Sequence, residues 1–429
     1  MKKSDKIIIS IIAVILAFAL ILVGIKLFPK LFKETPSAKI TTASQPFEIK
    51  LSEPDMSIDE FYTEKSGDEY PFARNPWDMM TFDGKVYICC GDYHNNSGDT
   101  PIFYYDPETD SFEYADIVYT EQASRFYVFD DKLYTTAFDP VAWGLGEFYV
   151  KSDDSDEFDY FEALPSNIHC FDMADFDDKF FFCGSVDNYE KHSMIQYIEK
   201  SDMPVEDFKK TKDIYLYKNG KKLDAKDCYR VYEMFVYNDT LYAWHNDGYI
   251  GEMEEEFTGL YVYNKDDCRF DFVGDELTID PVVSASVNKI DFRDIQQKLV
   301  FNSKLVFVSN GLFYTDDLKN YTECNLGKEY DGYIVRDALE IDGQLYLLAS
   351  KQQNDGTYRT SVFVTEDLEN FGEVLYFESE SYMISFEYID KTFVFGEGGM
   401  CSNPEFWGED ETVPPTSENC GNLYAVRVE

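Results

Sequence analysis

Positive charge is scarce in this chain: 38 Lys+Arg stand against 82 Asp+Glu over 429 residues, leaving a formal net charge of −44. Such a surface repels phosphate backbones, which excludes nucleic acid as a partner, and it is pushed off anionic lipid unless an anchor overrides the repulsion. Histidine is rarer still, at 4, and no His-x-x-x-His spacing occurs, so a zinc-protease site is excluded. Gly-x-Ser-x-Gly, the phosphate-binding loop and the dinucleotide fingerprint are also missing. Calcium between acidic loops near Asp92 to Asp99 has no EF-hand spacing behind it, so no cofactor is expected. None of the 9 cysteines falls in a Cys-x-x-Cys pair. Cys89 and Cys90 are neighbours in one expected strand and point to opposite faces. Cys170 and Cys183 flank a hairpin turn almost symmetrically, and Cys401 and Cys420 bracket a long loop, so each pair is a candidate disulfide. Closing the second loop would stabilise by roughly 3 kcal/mol on the chain-entropy model. The alternative is that all are small buried apolar residues.

Aromatic residues, by contrast, are abundant, with Tyr 33 and Phe 36, and they recur in a fixed pattern. The hexad Phe129-Asp130-Asp131-Lys132-Leu133-Tyr134 places two turn residues between apolar-aromatic flanks, which is a tight β-hairpin in miniature. It returns with its first turn residue at Asp83, Asp177, Asn238, Asn302, Asp342 and Asp390, giving steps of 47, 47, 61, 64, 40 and 48 between positions 83 and 390. A repeat near fifty residues built of short strands indicates the blades of a β-propeller. The expected fold is therefore all-β: seven four-stranded antiparallel blades over residues 76–429.

The N-terminus reads differently. A basic tail, 1–6, precedes nineteen uncharged residues from Ile7 to Ile25, enough for a helix to cross a bilayer. Lys26-Leu27-Phe28-Pro29 follows without a small-x-small cleavage pattern, which favours a retained single-span anchor over 7–28 rather than a cleaved signal peptide. Lysines on both sides of the span nearly balance, so orientation rests on the habit of signal-anchors, which places the large domain outside the plasma membrane. A propeller tethered on the cytoplasmic side is the competing arrangement. Residues 29–45 read as a polar tether. Within 46–75, Phe47-Glu48-Ile49-Lys50-Leu51 alternates like a strand that could close the ring against Leu423–Val428, and the remainder is expected to wrap the outside.

Each repeat carries a second hairpin, as in Ile102-Phe103-Tyr104-Tyr105-Asp106-Pro107-Glu108-Thr109-Asp110-Ser111-Phe112. That tyrosine-rich strand and turn resembles a Kelch blade. Ser152-x-Asp154 before Phe158, Thr315-x-Asp317 before Tyr321 and Thr365-x-Asp367 before Phe371 resemble the Asp-box of other propellers. The resemblance is to the fold. The paired glycines of a Kelch blade are missing, with single Gly91 and Gly184 instead, and the Asp-box aromatic falls one residue early without its glycine. A sialidase-like enzyme would offer an arginine cluster opened by Arg-Ile-Pro, and no such tripeptide occurs.

In a four-stranded blade the first and third turns lie on one face of the disc and the middle loops on the other. Here the middle loops vary in length, and function concentrates on variable loops held by a rigid scaffold. They carry His94, His192, His245, Trp143, Trp244 and Trp407, with Asp92, Asp247 and Glu252 as acceptors. The functional reading is a ligand surface on which indoles stack against sugar rings or peptide side chains; the structural reading is that tryptophans cap the sheets and histidines are merely exposed. The sequence thus leads to a non-catalytic binding or scaffold module for a glycan or protein ligand. The alternative is a glycan-active hydrolase or lyase using carboxylates of that face.

Overall fold

The computed structural model describes residues 47–48, 50–51, 71–93, 98–141, 146–152, 154–164, 167–186, 193–203, 211–224, 230–245, 257, 259–274, 297–309, 311–399 and 419–428. All of them belong to one compact unit, Ile40–Glu429. The expected membrane span, 7–28, and the tether, 29–45, lie outside the described residues. Among the described residues, no helix is long and apolar enough to cross a membrane.

Seven sheets follow one another along the chain. Blade 1 is Asp78–Phe82, Lys85–Cys89, Thr100–Asp106 and Ser111–Val118; blade 2 is Phe126–Phe129, Lys132–Thr136, Gly146–Lys151 and Phe158–Leu164. Blade 3 is Asn167–Phe176, Lys179–Val186, Ile195–Glu199 and Lys212–Ile214; blade 4 is Val231–Tyr237, Thr240–His245, Gly259–Asn264 and Arg269–Gly274. Blade 5 is Gln297–Phe301, Lys304–Val308, Leu312–Thr315 and Thr322–Glu323; blade 6 is Ile334–Ile341, Gln344–Gln352, Tyr358–Thr365 and Gly372–Ser379. Blade 7 takes Met383–Ile389, Thr392–Glu397 and Leu423–Arg427 from the C-terminal end and Phe47–Glu48 from the N-terminal end. Each is an antiparallel meander, and the first strand of each faces the axis. The molecule is a seven-bladed β-propeller.

The hairpin hexads form because their turn residues tolerate a left-handed backbone. Both central residues have positive φ in every blade, from Asp83 at 49° and Gly84 at 81° to Asp390 at 44° and Lys391 at 62°. That is the type I′ geometry whose twist matches the flanking strands, and it favours Asn, Asp and Gly. Between blades, apolar faces meet as seven separate cores. Phe181 and Met194 of blade 3 pack on Met234 and Leu241 of blade 4, and Val86 and Phe103 of blade 1 pack on Val394 and Ala425 of blade 7. The last of these closes the circle.

The seam between blades 7 and 1 is sewn by four residues. Phe47 and Glu48 pair antiparallel with Ala425 and Tyr424, and then Lys50 and Leu51 pair parallel with Ser111 and Phe112 of blade 1. Blade 4 is extended in a similar way, with Leu216–Lys218 lying parallel on Arg269–Gly274. Edges covered like this are shielded from pairing with other chains.

The expected Cys170–Cys183 bridge is not formed; both thiols are free and buried. A bulge between Cys170 and Asp172 shifts the register so that Cys170 faces Gly184 and Cys183 faces Asp172. The two side chains enter different cores, Cys170 against blade 2 and Cys183 against blade 4. Cys420 is likewise a free buried thiol, and Cys401 lies outside the described residues. Burial raises the Cys170 and Cys183 thiols well above the ordinary range, which suits small apolar core residues.

Candidate functional site

Each inner strand carries one polar residue five positions before its first turn residue: Asp78, Arg125, Asp172, Glu233, Gln297, Asp337 and Ser385. All but Gln297 are buried. In blades 3, 4, 6 and 7 a bulge sits just before this position, between Cys170 and Asp172, Val231 and Glu233, Val335 and Asp337, and Met383 and Ser385. A bulge re-aims the side chain that follows it.

Main-chain ties from this ring join blades 1 to 2, 3 to 4, 6 to 7 and 7 to 1. Asp78 accepts the Phe126 N–H at 2.7 Å, Asp172 the Met234 N–H at 2.6 Å and Asp337 the Phe386 N–H at 3.0 Å. Glu387, two residues beyond Ser385, accepts the Thr81 N–H at 2.9 Å, and the Ser385 hydroxyl donates to Pro76 O at 2.5 Å. Blades 2 to 5 add ion pairs. Arg125 donates to Glu233 at 3.1 and 3.2 Å and reaches Asp172 at 3.5 Å. Lys298 donates to Glu233 at 2.6 Å and to Asp172, which also receives the Tyr127 hydroxyl at 2.6 Å. Burial opposes ionisation of Asp172, but the Lys298 and Arg125 charges overcome it and hold its carboxyl below the usual range.

The remaining carboxyls behave differently. Burial pushes Asp78 up to about 6, against the pull of the Phe126 N–H and Arg125. Burial pushes Glu387 up to about 7, with the Asp78 charge adding to it. Asp337 rises well above the carboxylate range from burial and the Asp78 charge. The described axial carboxylates are thus engaged on main-chain N–H groups or on cations, as structural ties rather than an open catalytic pair.

The middle-loop face has its own cluster. Tyr93, Phe138, Phe171 and Tyr232, from four successive blades, form a row of rings at centroid separations of 4.8, 4.8 and 4.7 Å, the first two pairs tilted and the last stacked. Phe171 and Tyr232 are the extra residues of the bulges in blades 3 and 4. His169 stacks on Phe171 at 5.1 Å, with Nδ1 3.0 Å from Phe138 O and 3.2 Å from Asp139. The link between blades 1 and 2 crosses here: Asp92 N–H donates to Glu121 O and Glu121 N–H to Asp139 O, each at 2.7 Å. A Cβ at Gly91, whose φ is +121°, would strike the Glu121 carbonyl, so only glycine lets the link lie so close. Burial, then the charges of Asp139 and Asp92, push Glu121 up to about 8.

Of the residues singled out from the sequence, Asp92, Trp244 and His245 are described, and all three are fully buried at 0% exposure. Trp244 fills the core between blades 4 and 5 beside Leu305 and Phe307. Its pairing with Glu233 belongs to the register that runs unbroken from the Tyr237–Thr240 turn, and that alternation sends it, with Tyr242, into the core rather than to the rim. His245 ends the same strand and lies 6.5 Å from the Tyr261 ring. His94, Trp143, His192, Asp247, Glu252 and Trp407 lie outside the described residues. The axial ring and Glu121 were missed. A polar residue at constant offset in otherwise apolar strands was the available signal for the ring.

No protein-family model and no curated protein matches the sequence. Solved structures do resemble it. One is the extracellular domain of a protein described as a hybrid two component system of B. thetaiotaomicron, with TM-score 0.48 and 7% identity over 83% of this chain; the chain spans 41% of that structure's length. Another belongs to a mitotic checkpoint complex, with TM-score 0.46 and 10% identity over 92% of this chain and 95% of that one. A third is the β-propeller domain of the Trilobed protease from Pyrococcus furiosus, with TM-score 0.38 and 13% identity over 68% of this chain and 78% of that one.

Proposed function

We propose that this chain is a membrane-held binding propeller, anchored by residues 7–28 at the plasma membrane with its blades outside, that takes a glycan or protein ligand on its middle-loop face. The observation that carries this reading is a division between axis and face. The described axial carboxylates are engaged in fastening blades together, whereas the middle loops differ from blade to blade and carry Trp143, Trp407, His94 and His192. Variable loops on a stiff ring are the usual place for recognition. The full chain in detergent, applied to glycan and peptide arrays, is expected to bind saturably and to lose binding in Trp143→Ala or Trp407→Ala. Arrays without any saturable ligand would end the proposal. Protease shaving of intact cells tests the orientation, with removal of the propeller as the expected result.

One observation favours a second reading, a glycan-active hydrolase. A carboxyl held protonated near neutrality beside other carboxylates is what a general acid requires, and Glu121 has that environment beside Asp139 and Asp92. Reducing-end release abolished by Glu121→Gln would establish it in place of the binding module.

A further inference from the structure

Asp337, Glu387 and Asp78 stand on the inner strands of three consecutive blades, 6, 7 and 1. Blades 7 and 1 meet where the two ends of the chain are joined, and blade 6 is the neighbour of blade 7. Each passes one tie forward around the ring, Asp337 to Phe386 N–H, Glu387 to Thr81 N–H and Asp78 to Phe126 N–H. Among the described residues, the titratable and charged groups that bear on the three are one another, Arg125 from blade 2 and the Cys89 thiol from the second strand of blade 1. Arg125 is hydrogen-bonded across the axis to Glu233 and acts on Asp78 only through space. The opposite sector is matched, with Asp172 and Glu233 against Arg125 and Lys298.

We propose that closure of the ring is latched by protons: Asp78, Asp337 and Glu387 form one cluster with too little positive charge, so that protonation fastens blades 6, 7, 1 and 2 and deprotonation loosens them. A protonated carboxyl still accepts a main-chain N–H through its carbonyl oxygen, so the ties survive while the mutual repulsion disappears. The sign follows from linkage. A carboxyl whose pKa is higher folded than unfolded binds more protons in the folded state, so stability falls as pH rises. The window opens near the unfolded carboxylate value of about 4 and closes above the values of about 6 for Asp78 and about 7 for Glu387. The loosening belongs to one sector of the ring, the junctions 6–7, 7–1 and 1–2, which separates it from a general effect of net charge.

The test is amide hydrogen exchange on the full chain in detergent at pH 5.5 and pH 8.0, corrected for the intrinsic pH dependence of exchange. Protection at Thr81, Phe126 and Phe386 is expected to drop roughly tenfold or more relative to Met234, since each unit of pKa displacement is worth a factor of ten. Met234 reports the equivalent tie to Asp172 in the matched sector. In the triple variant Asp78→Asn, Asp337→Asn, Glu387→Gln this pH difference is expected to vanish. Unchanged protection at the three amides, or a change that Met234 follows in parallel, overturns the proposal. The wild-type measurement alone decides if the variant fails to fold.

Discussion

At the scale of single residues, the seven hairpins show how the same backbone is met by different side chains. Lys391 occupies a position with φ of 62° that Gly84 and Gly343 fill in blades 1 and 6. A lysine there bears a left-handed cost of about 1 kcal/mol that glycine does not, partly offset by the greater freedom of glycine when unfolded. Lys391→Gly is therefore expected to raise the unfolding free energy by a few tenths to about 1 kcal/mol, read as a higher urea midpoint. Asp172 lies at the other extreme, since it joins Tyr127, Arg125, Lys298 and Met234 while fully buried. Asp172→Ala leaves the buried Arg125 and the half-buried Lys298 short of a partner and is expected to cost about 3–5 kcal/mol, measured by the same unfolding curve. The turn residues were legible because the type I′ turn restricts them to a few residue types. The axial ring was equally regular, five residues upstream of each turn. It escaped because alternation was read from the turn outwards through residues such as Phe82 and Tyr127, where an isolated Asp or Glu passes for a solvent-facing position. Trp244 misled because a tryptophan near a loop suggests a rim, whereas the alternation that runs back through Tyr242 to the turn points it into a core.

At the scale of elements, bulges and Asp-box turns do what regular strands cannot. Phe171 is the extra residue of the blade 3 bulge, set just before the axial Asp172. Deleting Phe171 restores regular pairing upstream and is expected to disturb Cys170 and Gly184, where a Cβ at Gly184 would already collide with His169 O. The two C-terminal Asp-boxes are alike. Asp317 accepts the N–H groups of Lys319 and Asn320 at 2.7 and 2.8 Å and the Asn320 amide at 2.7 Å, and Asp367 repeats this with Glu369 and Asn370 at 2.9, 2.8 and 2.7 Å. The Asn320 and Lys319 N–H groups hold Asp317 down at about 2, and those of Asn370 and Glu369 hold Asp367 lower than the usual range. A depressed carboxyl adds stability above its unfolded value near 4 and loses it as pH falls through the folded value. Between pH 4 and pH 2 the melting temperature is thus expected to fall, and to fall less in Asp317→Asn, Asp367→Asn. A pH profile identical in the double variant would remove these turns from the account. The sequence similarity found these two turns from Thr, Asp and the following aromatic alone, although the glycine of the motif is absent. Leu318 and Leu368 adopt its left-handed conformation instead, at φ of 58° and 65°, and bury their side chains.

At the scale of the whole molecule, the ring is stable only as far as its two ends hold. A propeller's blades stack side by side, so its cores are short-range except where the first blade meets the last. That meeting depends on Phe47–Leu51, on the Ser385 and Thr81 contacts, and on Arg427 with Asp110 at 2.6 Å. The strand was legible as a closing donor from the alternation of Phe47, Ile49 and Leu51. Its onward parallel pairing with blade 1 was not, because parallel register has no local turn to announce it. Removing residues 1–51 takes away pairing with Ala425 and Tyr424 on one side and with Ser111 and Phe112 on the other. At about 1 kcal/mol for each main-chain hydrogen bond lost, the cost is roughly 2–4 kcal/mol. It should fall first on one place: amides of Leu423–Arg427 and Ser111–Val118 are expected to exchange before those of blades 3 and 4, and unfolding should broaden as cooperativity at the seam is lost. If the truncated chain unfolds at the wild-type midpoint with uniform exchange, the fifth-residue ties of the axis suffice to close the ring.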